Sequence, residues 1–350
     1  MQRELTIHCS AMLAFAAILI GNAAGAQEVC GIDSIFYDGV EGKVLTLVRH
    51  PGAKLSPGVA QSIVGPSTFD VTIVSPSDGA MIGDPTVPVS GTFSGPSDTG
   101  ITINNVVAHI EGDSFVVPAV QLLSNGTTSL NATATKLTGE TASAKVSVEQ
   151  GGARSPISFL VERTAGFAPF RVNFHYTIGA LPSGGGITYV GIDYDGDGAD
   201  DVANPARGSI PTYVATTPGI VRARLTVKDD KNNVYTAYRY YVVHDLSARG
   251  GMLCDVYGYM RSQLNAQPPN IAAALNAIHP NARDEVQPIW EEASSGLAAY
   301  VENMGNIANA TIAPDFATFL LLRRNADSSL SGFHMTFSRD RAGVWRISNL

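Results

Sequence analysis

Residues 165–174 read AGFAPFRVNF, residues 190–201 read VGIDYDGDGADD, and residues 217–229 read TPGIVRARLTVKD. Phe170, Val172 and Phe174 are apolar at every second position, and so are Val221, Ala223, Leu225 and Val227. Period-two alternation puts one face of a strand into a core and the other in water. The Asp-Gly and Pro-Gly dipeptides between these stretches force tight turns. Short alternating strands with turn residues between them predict an antiparallel sandwich over residues 155–244.

The same pattern extends toward the N-terminus. Phe69 to Val74 alternates, and Ser75-Pro76-Ser77-Asp78-Gly79 forms a turn. Val87 to Phe93 follows, then a hairpin around Asn104-Asn105, and strands over Ser114 to Val120, Ser129 to Thr135 and Ala142 to Glu149. These predict a second sandwich over residues 69–150. Residues 27–68 read less regularly, with one strand at Val44 to Val48, and are expected either to lend a strand to a neighbour or to form a partly ordered arm.

Past Val243 the period changes. Met252 to Gln263, Asn270 to Ile278 and Asp284 to Met304 carry apolar residues at helical spacing. Strand-like runs follow at Phe316 to Leu322, Gly332 to Phe337 and Val344 to Ile347, with Asp340-Arg341-Ala342-Gly343 turning the last hairpin. Helices followed by strands predict an α+β domain over residues 250–350. Trp290, Tyr300 and Trp345 read as its core aromatics.

Bulk properties limit what the chain can do. A length of 350 residues suits two to four modules, and 45% hydrophobic content is enough to build cores. The formal charge is −8, with no dense run of Lys or Arg, so phosphate backbones and anionic membrane surfaces are not expected partners. Arg3, the apolar run from Ala11 to Ile20, and Ala24-Gly25-Ala26 form a secretory signal over residues 1–26, cleaved near Ala26. The expected location is secreted, periplasmic or cell-surface. No later segment is long and apolar enough for a transmembrane anchor. Cleavage removes Cys9, and in an oxidising compartment Cys30 and Cys254 either pair or remain two free thiols.

Three resemblances to known families stand on these motifs. The stretch TIVSPSDGAMIGDPTVPVSGTF (72–93), with GITINNVVAHI and NATATKLTGETASAKVSV, resembles a bacterial Ig-like domain of the glucodextranase B-domain type. The stretches quoted first resemble a polycystic-kidney-disease (PKD) domain: an AP-hydrophobic-x-F strand, the Asp-rich turn, TPG and LTVxD occur in that order. Ile192 stands where that family commonly has Trp. The ending FHMTFSRDRAGVWRISNL resembles an NTF2-like, cystatin-like fold. Together they imply a multidomain chain of two all-β Ig-like sandwiches followed by an α+β C-terminal domain. The Ig-like resemblance brings no catalytic residues, whereas the NTF2-like fold often encloses a pocket that in some relatives hosts an acid/base pair.

The sharpest local signal is the acidic cluster of Asp193, Asp195, Asp197, Asp200 and Asp201. Hard carboxylate oxygens two residues apart, with Gly198 allowing a sharp turn, suit calcium. An EF-hand register from Asp193 would place Asn204, not Glu, at its twelfth position. The alternative is an Asp/Gly turn whose side chains cap backbone amides. Under either reading the role is structural, and no other cofactor is expected. His109, His175, His244, His279 and His334 are scattered, with no HExxH, and neither a GxSxG elbow nor a thiol-protease pattern around Cys254 occurs.

The expected function is therefore non-catalytic: an exported binding, adhesion or scaffold protein whose serial sandwiches act as stiff spacers. Its expected partner is a polysaccharide or a cell-surface protein. Tyr235, Tyr238, Tyr240 and Tyr241 hint at an aromatic platform, with alternation placing Tyr238 and Tyr240 on one face and Tyr241 on the other. The competing expectation is an enzyme with a C-terminal pocket, for which His279, Asp284 and His334 are the candidates. A polar cavity there would favour it, and a cavity packed with Phe, Leu and Trp would not.

Overall fold

A computed structural model describes residues 68–350, apart from 125 and 207–209, together with two short strands before them. These are β1 (Ile35–Phe36) and β2 (Thr46–Leu47), which pair antiparallel. The expected signal segment and the rest of the arm, Cys9 and Cys30 included, lie outside the described residues.

The first sandwich comprises β3 (Asp70–Ser75), β4 (Ala80–Ile82), β5 (Thr86–Ser94), β6 (Gly100–Ile103), β7 (Val106–Val107), β8 (His109–Glu111), β9 (Ser114–Gln121), β10 (Gly126–Thr135) and β11 (Thr141–Gln150). One sheet runs β3-β5-β9-β8 and the other β4-β11-β10-β6-β7. Their inner faces bury Val89, Phe115, Val117, Ile101, Ile103, Leu130 and Ala132, every second residue along each strand, as the sequence alternation predicts. Asn104 and Asn105 both take positive φ, 49° and 66°, which gives the hairpin a twist compatible with its strands.

The second sandwich comprises β12 (Ile157–Val161), β13 (Ala165–Phe167), β14 (Phe170–Ile178), β15 (Ile187–Asp193), β16 (Val202–Ala203), β17 (Thr212–Ala215), β18 (Gly219–Asp229) and β19 (Val234–His244). Sheet β12-β14-β17 covers sheet β13-β19-β18-β15-β16, with β13 parallel to β19. The core is aromatic. Phe174 stacks with Phe159 and with Tyr194, at 5.6 and 5.0 Å between ring centroids. The Tyr241 hydroxyl donates to the Tyr194 carbonyl at 3.0 Å. Ile192 is fully buried in this core, filling its place with an aliphatic side chain.

The third module starts four residues earlier than the sequence suggests, with α1 (Leu246–Leu264) capped by Asp245. Then come α2 (Ile271–Ala274), α3 (Pro280–Glu292) and α4 (Leu297–Glu302). The single helix expected over Asp284 to Met304 is broken, because Ser294-Ser295-Gly296 favours a 3-10 turn between α3 and α4. A meander follows of β20 (Asn306–Ile312), β21 (Phe316–Arg324), β22 (Leu330–Arg339) and β23 (Trp345–Asn349). Strand β20 was not foreseen: in NIANATI, Asn and Ala separate the apolar residues and weaken the signal. Strand β2 of the arm lies alongside β20. Trp290 and Trp345 are buried as expected, whereas Tyr300 is exposed.

The modules do not string out as the spacers that the sequence suggests. The third packs back on the first, and the second meets the first through Val116, Tyr240 and Val242. Arg339 Nη1 donates to the Ala108 carbonyl at 2.8 Å, and Arg346 Nη1 donates to the Leu137 carbonyl at 3.1 Å. Leu137, on the turn between β10 and β11, is buried in the core of the third module. The RDRAGVWRI stretch therefore makes a hairpin whose tip is also a docking surface.

Candidate functional site

The acidic turn follows β15 at one end of the second sandwich. Gly191 gives it room: a β-carbon there would run into the Asp200 carboxylate and the Tyr189 hydroxyl, so the turn can fold back over the sheet. Asp193 is 2% exposed. Its Oδ1 accepts from Gly196 N at 2.7 Å and its Oδ2 from Gly198 N at 3.0 Å. Burial raises its pKa, while these amides and the Arg224 guanidinium work to lower it. Asp195 accepts from Asp197 N and Asp197 from Ala199 N.

Oxygens of Asp193, Asp195 and Asp197 lie within 4.8 Å of one another, so these three fit a hard cation in type and spacing. The other two members of the sequence cluster turn elsewhere. Asp200 accepts from Tyr189 Oη at 2.7 Å and from Arg224 Nη2 at 3.2 Å, and Asp201 accepts from Tyr194 N at 2.6 Å. Asn204 Oδ1, at the twelfth position, accepts from Val190 N. Arg224 and the backbone amides thus offset the carboxylate repulsion from within the chain. With the loop held by these internal donors, a chelator should leave the melting temperature of the protein unchanged. A clear rise on adding calcium would reassign Asp193, Asp195 and Asp197 as its ligands.

Asp229, which closes the LTVxD strand, fastens the other end of the sheet. It accepts from Ser183 Oγ at 2.5 Å, Asn233 N at 2.8 Å, Lys231 N at 2.9 Å and Asn233 Nδ2 at 2.9 Å. Burial opposes its charge, but these donors outweigh that and hold the carboxyl well below the usual carboxylate range. A depressed carboxylate stabilises the fold above its unfolded pKa of about 4, and that contribution is lost as pH falls toward the folded value. Asp229→Asn should therefore lower the melting temperature at neutral pH and flatten its fall under acid. Melts followed by circular dichroism on both sides of pH ~4 check this.

The tyrosines do not form an open platform. Tyr238 and Tyr240 share one face, as alternation requires, and Tyr241 points into the core. Tyr240 is buried at the contact with the first sandwich, and Tyr235 packs against the core of its own module. The Arg222 guanidinium lies 3.7 Å from the centroid of the Tyr238 ring, and Lys228 Nζ lies 4.9 Å from that of Tyr189.

The residues proposed for a C-terminal active site stay apart. His279 caps α3 by accepting from Asn281 N at 3.3 Å, Asp284 is exposed on α3, and His334 is exposed on β22 opposite Leu320. Between helices and sheet the module is filled by Trp290, Phe319, Phe337, Met335, Leu253 and Met260. Cys254, on α1, is disulfide-bonded to a partner outside the described residues.

An open cleft of about 380 Å³ lies on the first sandwich, lined by Thr102, Asn104, Asn105, Ser129, Asn131 and Thr133. Sequence reading missed it because its six residues come from β6, β10 and a hairpin tip, which meet only through strand pairing. Asn104 organises it, donating Nδ2 to the Ser129 carbonyl at 2.8 Å and accepting Asn131 N at 2.9 Å.

No family model and no curated protein matches the chain. Among solved structures it is similar to fibronectin(III)-like modules of Clostridium thermocellum CbhA, at 15% identity and a TM-score of 0.20, covering 50% of this chain and 94% of that one. Domains 5–6 of the S-layer protein SbsC match at 14% identity and a TM-score of 0.23, covering 50% and 98%. Bacteroides ovatus SGBP-B, solved with a mixed-linkage heptasaccharide, matches at 14% identity and a TM-score of 0.17, covering 50% and 47%. This chain thus spans about half of that last protein. At these scores the likenesses bear on neither ligand nor activity. No described helix is long and apolar enough to cross a membrane.

Proposed function

We propose that this chain is an exported, non-catalytic binding or scaffold protein that takes a polysaccharide on its first sandwich. One observation carries the reading. The interior of the α+β module, where an enzyme of that fold would hold substrate, is packed with apolar side chains, whereas the open cleft of the first sandwich is lined by Asn, Thr and Ser residues. Asn, Thr and Ser side chains both donate and accept, which matches the hydroxyls of a sugar chain. The test is glycan-array binding by the mature protein and by Asn131→Ala and Thr133→Ala variants. Binding that falls at least tenfold in the variants supports the reading. Absence of any glycan binding turns it toward a cell-surface protein partner.

Export also accounts for the bonded state of Cys254. Once a cleaved leader has removed Cys9, Cys30 is its remaining partner in the sequence. That bond would fasten the arm to α1, consistent with β2 lying alongside β20. The mature chain should take up no thiol reagent when denatured without reductant. Labelling of Cys254 under those conditions would refute the pairing.

A further inference from the structure

The three modules share one polar cluster around the buried His244. The first sandwich contributes the half-buried His109 and Glu111 from β8, the second contributes His244 at the end of β19, and the third contributes the half-buried Arg249 from α1 and Arg339 from β22, with the exposed Asp315 from the turn before β21. Glu111 Oε2 lies 2.8 Å from His244 Nδ1, and Oε1 accepts from Asp245 N at 3.1 Å. Arg249 Nη2 sits 3.2 Å from the same Nδ1 and donates to the Ile110 carbonyl at 3.4 Å, with its guanidinium over the Trp345 ring. Arg339 donates to the Ala108 carbonyl and pairs with Asp315. The His109 and His244 rings face each other at 6.3 Å, and Phe167 lies 5.7 Å from His244.

Two buried ring nitrogens have no hydrogen-bond partner among the described residues: Nδ1 of His109 and Nε2 of His244. With Glu111 ionised, a neutral His244 donates from Nδ1, and Nε2 carries only a lone pair against an aromatic wall. A proton on Nε2 would bury an unpaired donor and add a positive charge beside Arg249 and Arg339. The same holds for His109, whose ring lies in the field of the two arginines and His244, with Asp315 opposing them.

We propose that this cluster is an acid-sensitive latch: protonation of His109 and His244 releases the first sandwich from the other two modules. The chemistry sets the window. Burial first, then Arg339 and the other histidine, depress His109 to about 4. Burial and the two arginines depress His244 well below its ordinary value. Arg249, lowered by burial to about 10, stays charged throughout. A histidine with a depressed pKa in the closed form stabilises that form above its free pKa of about 6.5 and ceases to do so as pH falls. Each histidine lowers the closed-to-open ratio about tenfold per pH unit below that point, or about a hundredfold for the pair. Glu111, raised by burial and by Asp245 against Arg249 and the Asp245 amide, opposes this with one proton against two.

Small-angle scattering of the mature chain at neutral pH and at about pH 5 tests the latch, with far-ultraviolet circular dichroism to follow the modules themselves. The wild type should expand on acidification while keeping its secondary structure. A His109→Leu/His244→Asn variant, which retains an amide donor toward Glu111, should stay compact. An unchanged radius of gyration in the wild type, or equal expansion in the variant, overturns the proposal. Should the variant not fold, ring signals of the wild type decide by nuclear magnetic resonance. Both histidines should titrate only together with the expansion, and either one titrating near pH ~6.5 in the compact chain overturns it.

Discussion

Replacing Asp340 by alanine should destabilise the C-terminal module by about 3–5 kcal/mol, the usual cost of stripping one partner from a buried ion pair. Asp340 is 8% exposed and Arg346 5%. Asp340 Oδ2 meets Arg346 Nε at 2.5 Å, and its other oxygen accepts from Ala342 N at 2.8 Å and Val344 N at 3.0 Å. The alanine variant leaves a guanidinium in the interior and two amides of the hairpin tip uncapped. Arg346 also holds the Leu137 and Asn276 carbonyls, so the loss should spread to the contact with the first sandwich. Asp340→Asn, which can still accept from both amides, should lose less. Urea unfolding of the three proteins measures the order, and equal midpoints for wild type and Asp340→Ala would refute the role given to this pair.

Gly100→Val should separate the first and third modules at neutral pH. Gly100 opens β6 and is buried against the β22–β23 hairpin tip, where a β-carbon would overlap Val344 N, Gly343 C and the Ala342 carbonyl oxygen. Overpacking usually costs about 1–3 kcal/mol when side chains can adjust. Here the atoms in the way are backbone, fixed by the turn that Asp340 caps, and Gly343 itself needs a φ of +81°. Undocking is the cheaper response. Calorimetry should show the C-terminal module melting apart from the first sandwich, and scattering should show a chain already expanded at neutral pH. A single transition at the wild-type temperature would show that the contact is dispensable.

The local fold was legible because both sandwiches depend on a signal two residues long. Val87, Val89 and Phe93, or Phe170, Val172 and Phe174, can reach water only by exposing a whole strand face, so their spacing dictates which face is buried. Asn104-Asn105 was equally readable, since few residue pairs accept two successive positive φ values. The helical module was less so. The break at Ser294-Ser295-Gly296 rests on a weak local preference inside an otherwise helical apolar spacing, and β20 carries too few branched or aromatic residues to announce itself. The acidic cluster was visible at once, but its division into a trio and two outliers follows from where Arg224 and Tyr189 stand around Asp200 and where the Tyr194 amide meets Asp201.

By itself, the sequence determined that the chain has two layered β modules and a mixed one and a net negative charge, because strand period, turn chemistry and charge are local properties. Only tertiary structure decided that these modules fold back on one another and that His109, Glu111, His244, Arg249 and Arg339 meet. The physical reason is distance along the chain. His109 and Arg339 come together across 230 residues, and no local pattern records which surfaces lose their water when two finished modules dock.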